Sequence, residues 1–382
     1  MNNIYLEVDG IRYTGWKEIT VKKSIEKFCG SFSFIGTGLK ENEFPISIGK
    51  TCKIYIDNTP IINGWIEKID VSLESDKHEI SVAGRDRTCD LVDSQLGKIP
   101  DFSNGITLSK LTEKILAMLN LSHIKVMNQA GIDIKPFTQT PTDGIGTGAF
   151  DFLNTYAKKR QVLLTTDGNG DIVLQRASDK KIKTVLSTLR EDPATMKSIR
   201  ATYDYTKRYN LYHVAGQDNL SGFNISWIDK DIQPPKPEKN VNIIGQAFDT
   251  EIRNSRQYYF QPEDNGSAED NKARAIWEAS FRRSQSFVYH CEVVGFYPLD
   301  DKEIWRPNMR VTVVDTFIND IVSDLLITDV EYSQTVSDGS ITSLKLLSRD
   351  AFTLKPNRSN KDKQSFPEFQ KVLGIDKGQI GG

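Results

Sequence analysis

The chain has 382 residues, of which 38% are hydrophobic, 26% charged and 9% aromatic. That is the composition of an ordinary folded protein, and it excludes a disordered or collagen-like chain. Lys and Arg number 49 against 51 Asp and Glu, a formal charge of −2, so no basic domain marks a dedicated nucleic-acid binder. The length predicts two or three domains, with cores large enough to need no covalent staple.

Residues 1–95 read as β-structure. Asp9-Gly10 lies between Ile4–Val8 and Ile11–Tyr13, a two-residue hairpin signal because glycine accepts positive φ. Phe28, Gly30, Phe32 and Phe34 alternate with polar residues, as do Cys52, Ile54 and Ile56, and Ile80-Ser81-Val82 closes the segment. Short period-2 strands at this spacing predict a small barrel or sandwich. Residues 96–195 change character. Leu108, Leu111, Ile115, Met118 and Leu119 recur at helical spacing, with Thr107 or Ser109 as the cap. A second helix is predicted at Ala149–Arg160. It is followed by Val162–Thr165, a turn at Asp167–Gly170 and Ile172–Leu174, so this segment reads as an α+β insertion.

Ser198–Val214 returns to strand-like composition. Asp229–Asn240 carries Pro234, Pro235 and Pro237 among charges and reads as an extended linker. Ala268–Ser284 predicts a helix, residues 287–354 are β again, and Lys355–Gly382 reads as a flexible polar tail with Phe366 and Phe369 as its anchor to a partner. The predicted organisation is a first β-barrel over 1–95 and an α+β insertion over 96–195. A second β-barrel follows from 196–226 and 285–354, with a Pro-rich linker and helix over 227–284 and a tail over 355–382.

The two β regions echo one another. Cys52–Ile56 matches Met309–Val313 in alternation, Ile66–Ser72 matches Ile327–Ser333, and Ile80–Asp86 matches Leu344–Asp350 in the same order. Both regions end on an Arg-Asp pair, Arg85-Asp86 and Arg349-Asp350. Two related barrels per chain, set around a three-fold axis, make a ring of approximate six-fold symmetry, and a ring removes exposed sheet edges.

The run Ile80-Ser81-Val82-Ala83-Gly84-Arg85-Asp86-Arg87-Thr88-Cys89-Asp90-Leu91-Val92-Asp93 resembles the SVSGRDRTGDLVD segment of Mu-like phage baseplate hub proteins. Leu6–Gly10 with Tyr13–Trp16 resembles their V-N-G-x-x-Y-x-G-W opening. Ala273–Glu278, Trp305–Asn308, Leu325–Val330 and Arg349–Phe352 resemble later landmarks. Cys89 stands where the family has glycine, and the tail has no counterpart. The resemblance covers most of residues 1–354. It implies a mainly β fold with α+β insertions, with two tail-tube-like barrels per chain assembling as a ring-shaped homotrimer. It implies a baseplate hub of a contractile tail, in the virion, assembled in the host cytoplasm. Its partners would be itself, the tail tube or a tube adaptor, the central spike and the surrounding wedge proteins. DNA would pass through an axial channel without specific binding, and the chain would not insert into a membrane. A related hub of a type VI secretion system or tailocin would share the fold.

No catalytic, metal or cofactor residue is nominated. Gly144-Ile145-Gly146-Thr147-Gly148-Ala149 formally fits a dinucleotide loop, but Gln139–Asp143 is a poor strand to precede it. Asp167, Asn169 and Asp171 have the first spacings of a calcium loop, yet Ile172 and Ser178 occupy its glycine and glutamate positions. A helix entry and a hairpin turn are the readings preferred. His78, His123, His213 and His290 form no H-E-x-x-H, and there is no G-x-S-x-G elbow. Paired acids such as Asp300-Asp301 read as solvated loops, so a carbohydrate-degrading or carbohydrate-binding β-protein is a distant alternative. No spare segment would hold a fused lysozyme. Cys29, Cys52, Cys89 and Cys291 are scattered and read as buried free thiols. The N-terminus lacks a signal-peptide pattern and no apolar run approaches the roughly 20 residues that span a bilayer. What remains are structural candidates. Gly84, Arg85, Asp86, Arg349 and Asp350 are expected either to fix the last turn of each barrel or to touch the neighbouring barrel.

Overall fold

The computed structural model describes residues 3–37, 46–74, 77–129, 136–138, 144–160, 162–178, 180–187, 196–215, 243–260, 268–299, 301–315 and 320–352. The expected linker at 229–240 and the tail with Phe366 and Phe369 lie outside them. The chain divides into two compact units, one built on Met1–Ala201 with Tyr289–Arg349 and one on Thr202–Val288.

The first unit opens with β1 (Ile4–Val8), β2 (Ile11–Tyr13), β3 (Glu18–Ser24), β4 (Ser31–Thr37), β5 (Thr51–Ile56), β6 (Thr59–Glu74) and β7 (Lys77–Asp86). Asp9 and Gly10 both take positive φ, 51° and 80°, which fits the β1–β2 hairpin to the twist of its strands. Alternation along β4 and β5 buries Phe32, Phe34, Cys52, Ile54 and Ile56, each core side chain of this size contributing about 1.5–3 kcal/mol. Phe28 departs from the expected pattern. The chain bends before β4, and Phe28 leaves the sheet to stack on Phe150, 4.5 Å between ring centroids, in a second core.

That second core holds α1 (Cys89–Asp93), α2 (Leu108–Met118), β8 (Val126–Asn128), α3 (Ala149–Lys159), β9 (Leu163–Thr166) and β10 (Ile172–Gln175). Thr107 is the α2 cap, its hydroxyl accepting from Lys110 N. β10 pairs antiparallel with β9 and parallel with β8. The Gly144–Gly148 loop enters α3 and is stitched to the Ser94–Leu96 backbone, where Gly146 N donates to Leu96 O at 2.8 Å and Ala149 N to Ser94 O at 2.8 Å.

The unit is completed by β11 (Lys181–Leu186), β12 (Ser198–Tyr203), then β16 (Phe287–Val294), β17 (Arg310–Asp315), β18 (Asp320–Thr335) and β19 (Gly339–Ser348), with a 3-10 turn at Arg349–Phe352. Between β12 and β16 the second unit carries β13 (Leu211–Ala215), β14 (Ile243–Phe248), β15 (Gln257–Phe260) and α4 (Ala268–Gln285). The sequence groups residues 196–226 in one barrel, but β12 and β13 join different sheets. β13 pairs with β14 and β15 in a separate three-stranded sheet. The break comes at Asp204, whose carboxylate accepts from Thr206 N at 2.8 Å and turns the chain. The second unit is held by Arg208, fully buried, which donates to Asp249 at 2.8–3.0 Å and to Glu251 at 2.6 Å. Arg282 lies 4.0 Å over the Tyr258 ring.

The large sheet runs β12-β16-β19-β18-β3-β4-β7-β6-β5-β1-β2, with β17 on β18 and β11 on β17. It contains the same unit twice. β5 and β17 have six residues each, β6 and β18 sixteen, β7 and β19 ten. The register shifts between Ile66 and Lys68 in one copy and between Ile327 and Asp329 in the other. β4 lies on β7 as β16 lies on β19, and β3 on β4 as β12 on β16. The sequence echo therefore extends to five strands, in the orders β5-β6-β7-β4-β3 and β17-β18-β19-β16-β12.

Candidate assembly sites

The two copies of the unit join through antiparallel pairing of β18 and β3, from Asp329 opposite Ser24 to Thr335 opposite Glu18. β18 can serve two neighbours because of its bulge. Arg310–Asp315 pair with the part of β18 before it, and β3 with the part after it, on the edge away from β19. A bulge bends a long strand and increases its twist, which lets one strand turn a corner of a closed sheet. Across the join, Val330 and Tyr332 are 1% exposed and Ile19 and Val21 at most 3%. On the opposite, polar face Lys22 pairs with Glu331 at 3.0 Å, and Lys345 reaches Glu26 at 2.5 Å and Asp329 at 3.5 Å. Burial pulls the Lys345 ammonium down, but its bond to Glu26 and the two carboxylate charges outweigh this and hold its pKa above the ordinary value. The same face carries Arg200, His290 and Glu292 in one groove with Lys22 and Lys345.

The residues singled out at the end of β7 form a second arrangement. Gly84 lies opposite Phe32 and Ile66, and a Cβ there would overlap the Trp65 carbonyl oxygen. Only glycine lets the bulged β6 approach this closely. Arg85 and Asp86 do not bond one another, because neighbours on a strand point to opposite faces. Arg85 forks onto Glu67 with two bonds of 2.7 Å and onto Asp93 at 2.6 and 3.1 Å, tying β6 to α1. Hydrogen bonds to Glu67 and then Asp93 raise the guanidinium pKa, and the same bond lowers that of Asp93.

Asp86 points inward and is fully buried. Its carboxylate accepts from Gly30 N at 2.6 Å, Thr88 N at 3.1 Å, the Thr88 hydroxyl and the Thr166 hydroxyl at 3.0 Å, with Lys23 Nζ at 3.4 Å. Four elements, β3, β4, α1 and β9, thus meet at one carboxylate. Arg87 continues the bolt, donating to Gly170 O at 3.0 Å and pairing with Asp171. The Asp167–Gly170 turn is held as a hairpin, since Asp167 Oδ1 accepts from Asn169 N and Asp171 N, both at 2.8 Å.

Arg349 holds a different position from Arg85. It lies in the 3-10 turn and donates to Ala177 O at 3.5 Å. The side chain of Asp350 falls outside the described residues. Among the described residues no three His, Cys, Asp or Glu cluster in a metal-ligating arrangement, and no helix is long and apolar enough to cross a membrane. Cys52, Cys89 and Cys291 are buried and Cys29 is partly so. Burial pushes the Cys52 thiol up to about 12 and raises Cys89 as well.

Residues 3–86, which carry β1–β7, match the family described as Mu phage baseplate assembly protein GpP-like, N-terminal, and residues 267–355 match Mu phage baseplate assembly protein GpP, fourth domain. The baseplate hub protein gp44 of Escherichia phage Mu is 24% identical over 370 residues, covering 95% of this chain and 92% of gp44. Two stretches of the chain thus match Mu baseplate assembly protein domains, and along most of its length it is similar to the Mu baseplate hub protein. The two family segments hold the two copies of the sheet unit in all but β12. The relatives it matches are structural baseplate proteins rather than enzymes. Among solved structures, the 43 kDa tail protein of prophage MuSo2 from Shewanella oneidensis superposes with a TM-score of 0.75 at 23% identity, over 92% of this chain and 99% of that one. The tail protein from Neisseria meningitidis MC58 gives 0.72 at 19% identity, over 91% and 96%. Both share the fold.

Proposed function

We propose that the protein is the baseplate hub of a Mu-like phage tail and works as a homotrimer, with six copies of the sheet unit forming a ring between a six-fold tube and a three-fold spike. The observation that carries this reading is the duplicated unit with its internal join. Two units already lie edge to edge in one chain through β18 and β3, so three chains present six equivalent units. Closed rotational symmetry is the usual end of such head-to-tail contacts.

In this reading each unit closes as a barrel, and the polar face with Lys22, Arg200, Glu292, Glu331 and Lys345 looks toward the axial channel. Both charge signs alternate there. A lumen of that kind lets DNA pass, because binding to phosphates requires an excess of cations. The tube or its adaptor, the spike and the wedge proteins would be the partners, and assembly would take place in the host cytoplasm. The domain division would keep the α+β segment at 96–195 as an insertion between the barrels. Light scattering on a sizing column, with particle averaging by electron microscopy, tests the reading. A three-chain ring with six lobes is expected. A monomer at micromolar concentration that does not assemble on tube or spike protein refutes it.

A further inference from the structure

The duplication leaves two half-strands in unequal circumstances. Beyond its bulge β18 is covered by β3, whereas beyond Ile66 the matching edge of β6 has no partner strand among the described residues. β12, the counterpart of β3, ends the sheet. Burial follows this difference. Tyr332 is 1% exposed, while its counterpart Val71 is 58% exposed and Leu73, two residues on, is 55% exposed. Ile19 and Val21 are buried, while their counterparts Ile199 and Ala201 are only half-buried. An apolar stripe on an unpaired edge invites another strand.

The internal join supplies the register. Ile66 and Lys68 correspond to Ile327 and Asp329 through the shared bulge. Lys197 N donates to Glu292 O at 2.6 Å as Lys17 N donates to Ile35 O at 2.8 Å, which aligns β12 with β3 residue by residue. Resting on the ring reading above, we propose that β12 of a second copy of this chain adds antiparallel to the free edge of β6. In that register Val71 lies opposite Ala201, Leu73 opposite Ile199 and Ile69 opposite Tyr203 on the apolar face. On the polar face Lys68 lies opposite Asp204, Asp70 opposite Thr202 and Ser72 opposite Arg200. Arg200 then sits diagonally between Asp70 and Glu74, within reach of both. A one-residue slip sets Val71 and Leu73 against polar side chains, so burial and charge select the same register. Each chain offers one β6 edge and takes one β12, so the contact propagates head to tail and closes into the ring.

Cysteine cross-linking tests this. Ile25 N donates to Thr328 O at 2.9 Å, and alternation along the ladder then makes the counterpart pair Asp70–Thr202 a non-hydrogen-bonded one. Its Cα atoms would be about 4.5 Å apart, within disulfide range. The variant Asp70→Cys with Thr202→Cys is expected to oxidise to a covalent trimer that dithiothreitol dissolves. Asp70→Cys with Ser198→Cys, displaced about 13 Å along the strand, and each single variant are expected to give none. In a second arm Val71→Lys with Leu73→Lys, both exposed in the single chain, is expected to lower the solution mass three-fold with an unchanged circular dichroism spectrum. A trimer by light scattering that fails to cross-link at 70/202, or that survives the two lysines, overturns the strand pairing while leaving the ring. A monomer that never cross-links, even with tube or spike protein present, overturns both.

Discussion

Replacing Asp86 with alanine isolates the carboxylate on which four elements converge. The substitution orphans two backbone N–H groups, Gly30 and Thr88, the first bonded at 2.6 Å and both in a buried setting. Each such donor costs about 1–3 kcal/mol. It also strips the counter-charge from Lys23, whose side chain is 12% exposed, although that ammonium can extend toward water and recover part of the loss. About 4 kcal/mol of destabilisation results, in the middle of the range for breaking a buried pair. For a unit of this size that lowers the melting temperature by about 10 °C. Arg85→Ala is the comparison. Its side chain is 31% exposed and its ion pairs are solvent-screened, so about 1 kcal/mol is expected. Differential scanning calorimetry of the two variants beside the parent measures both. If Asp86→Ala melts within about 2 °C of the parent, or if Arg85→Ala proves the more damaging, the bolt assignment is wrong.

Gly84→Ala is expected to cost more than about 4 kcal/mol, because the new Cβ overlaps the Trp65 carbonyl oxygen and the backbone must move; soluble yield and melting temperature report it. Arg208→Ala leaves the buried Asp249 carboxylate with Arg283, 2.9 Å away and itself half exposed, as its remaining charged partner, and is expected to lose about 3 kcal/mol. Limited proteolysis should then cut within 202–288 before the large sheet. With Ellman's reagent at most one thiol per chain, Cys29, is expected to react in the native protein and four in guanidinium, since the other three are buried; a native reaction at Cys52 or Cys291 counts against the packing described. His290 has a pKa below the ordinary 6.5, first from burial and then from Lys345 and Arg200. The unfolded chain therefore takes up the proton first, so stability should fall as pH drops below 6.5 and level off beneath the folded value. His290→Gln should flatten that slope in urea titrations, and an unchanged slope refutes the assignment.

Much of the first unit was legible because its signals are local. Alternation at Phe32–Phe34 and Cys52–Ile56, the Asp9-Gly10 turn and the helical spacing of Leu108–Leu119 each depend on neighbours in sequence. The echo of three strands pointed to the duplication, but its Arg-Asp pairs are not counterparts: Gly84 and Leu346 both face the bulge, which sets Arg85 with Leu347. β12 and β16 escaped because their counterparts β3 and β4 are joined by a short bend, while residues 204–286 intervene here. Phe28 has the period of a strand yet belongs to another core, a choice made by the bend at residues 25–30. The role of Asp86 was equally hidden. Gly30, Thr88 and Thr166 come from different parts of the chain, and no spacing rule brings them to one carboxylate.

The two ends of the second unit meet, since Asp204 N donates to Ser286 O at 2.9 Å. A segment whose two ends are already clasped behaves as a pendant on a closed loop. With the ends already brought together, a longer or shorter segment between them costs little further loop-closure entropy. The chain thereby separates two kinds of change. Substitutions in the large sheet are answerable to every strand paired along it, whereas those in the clasped segment are answerable to its own small core.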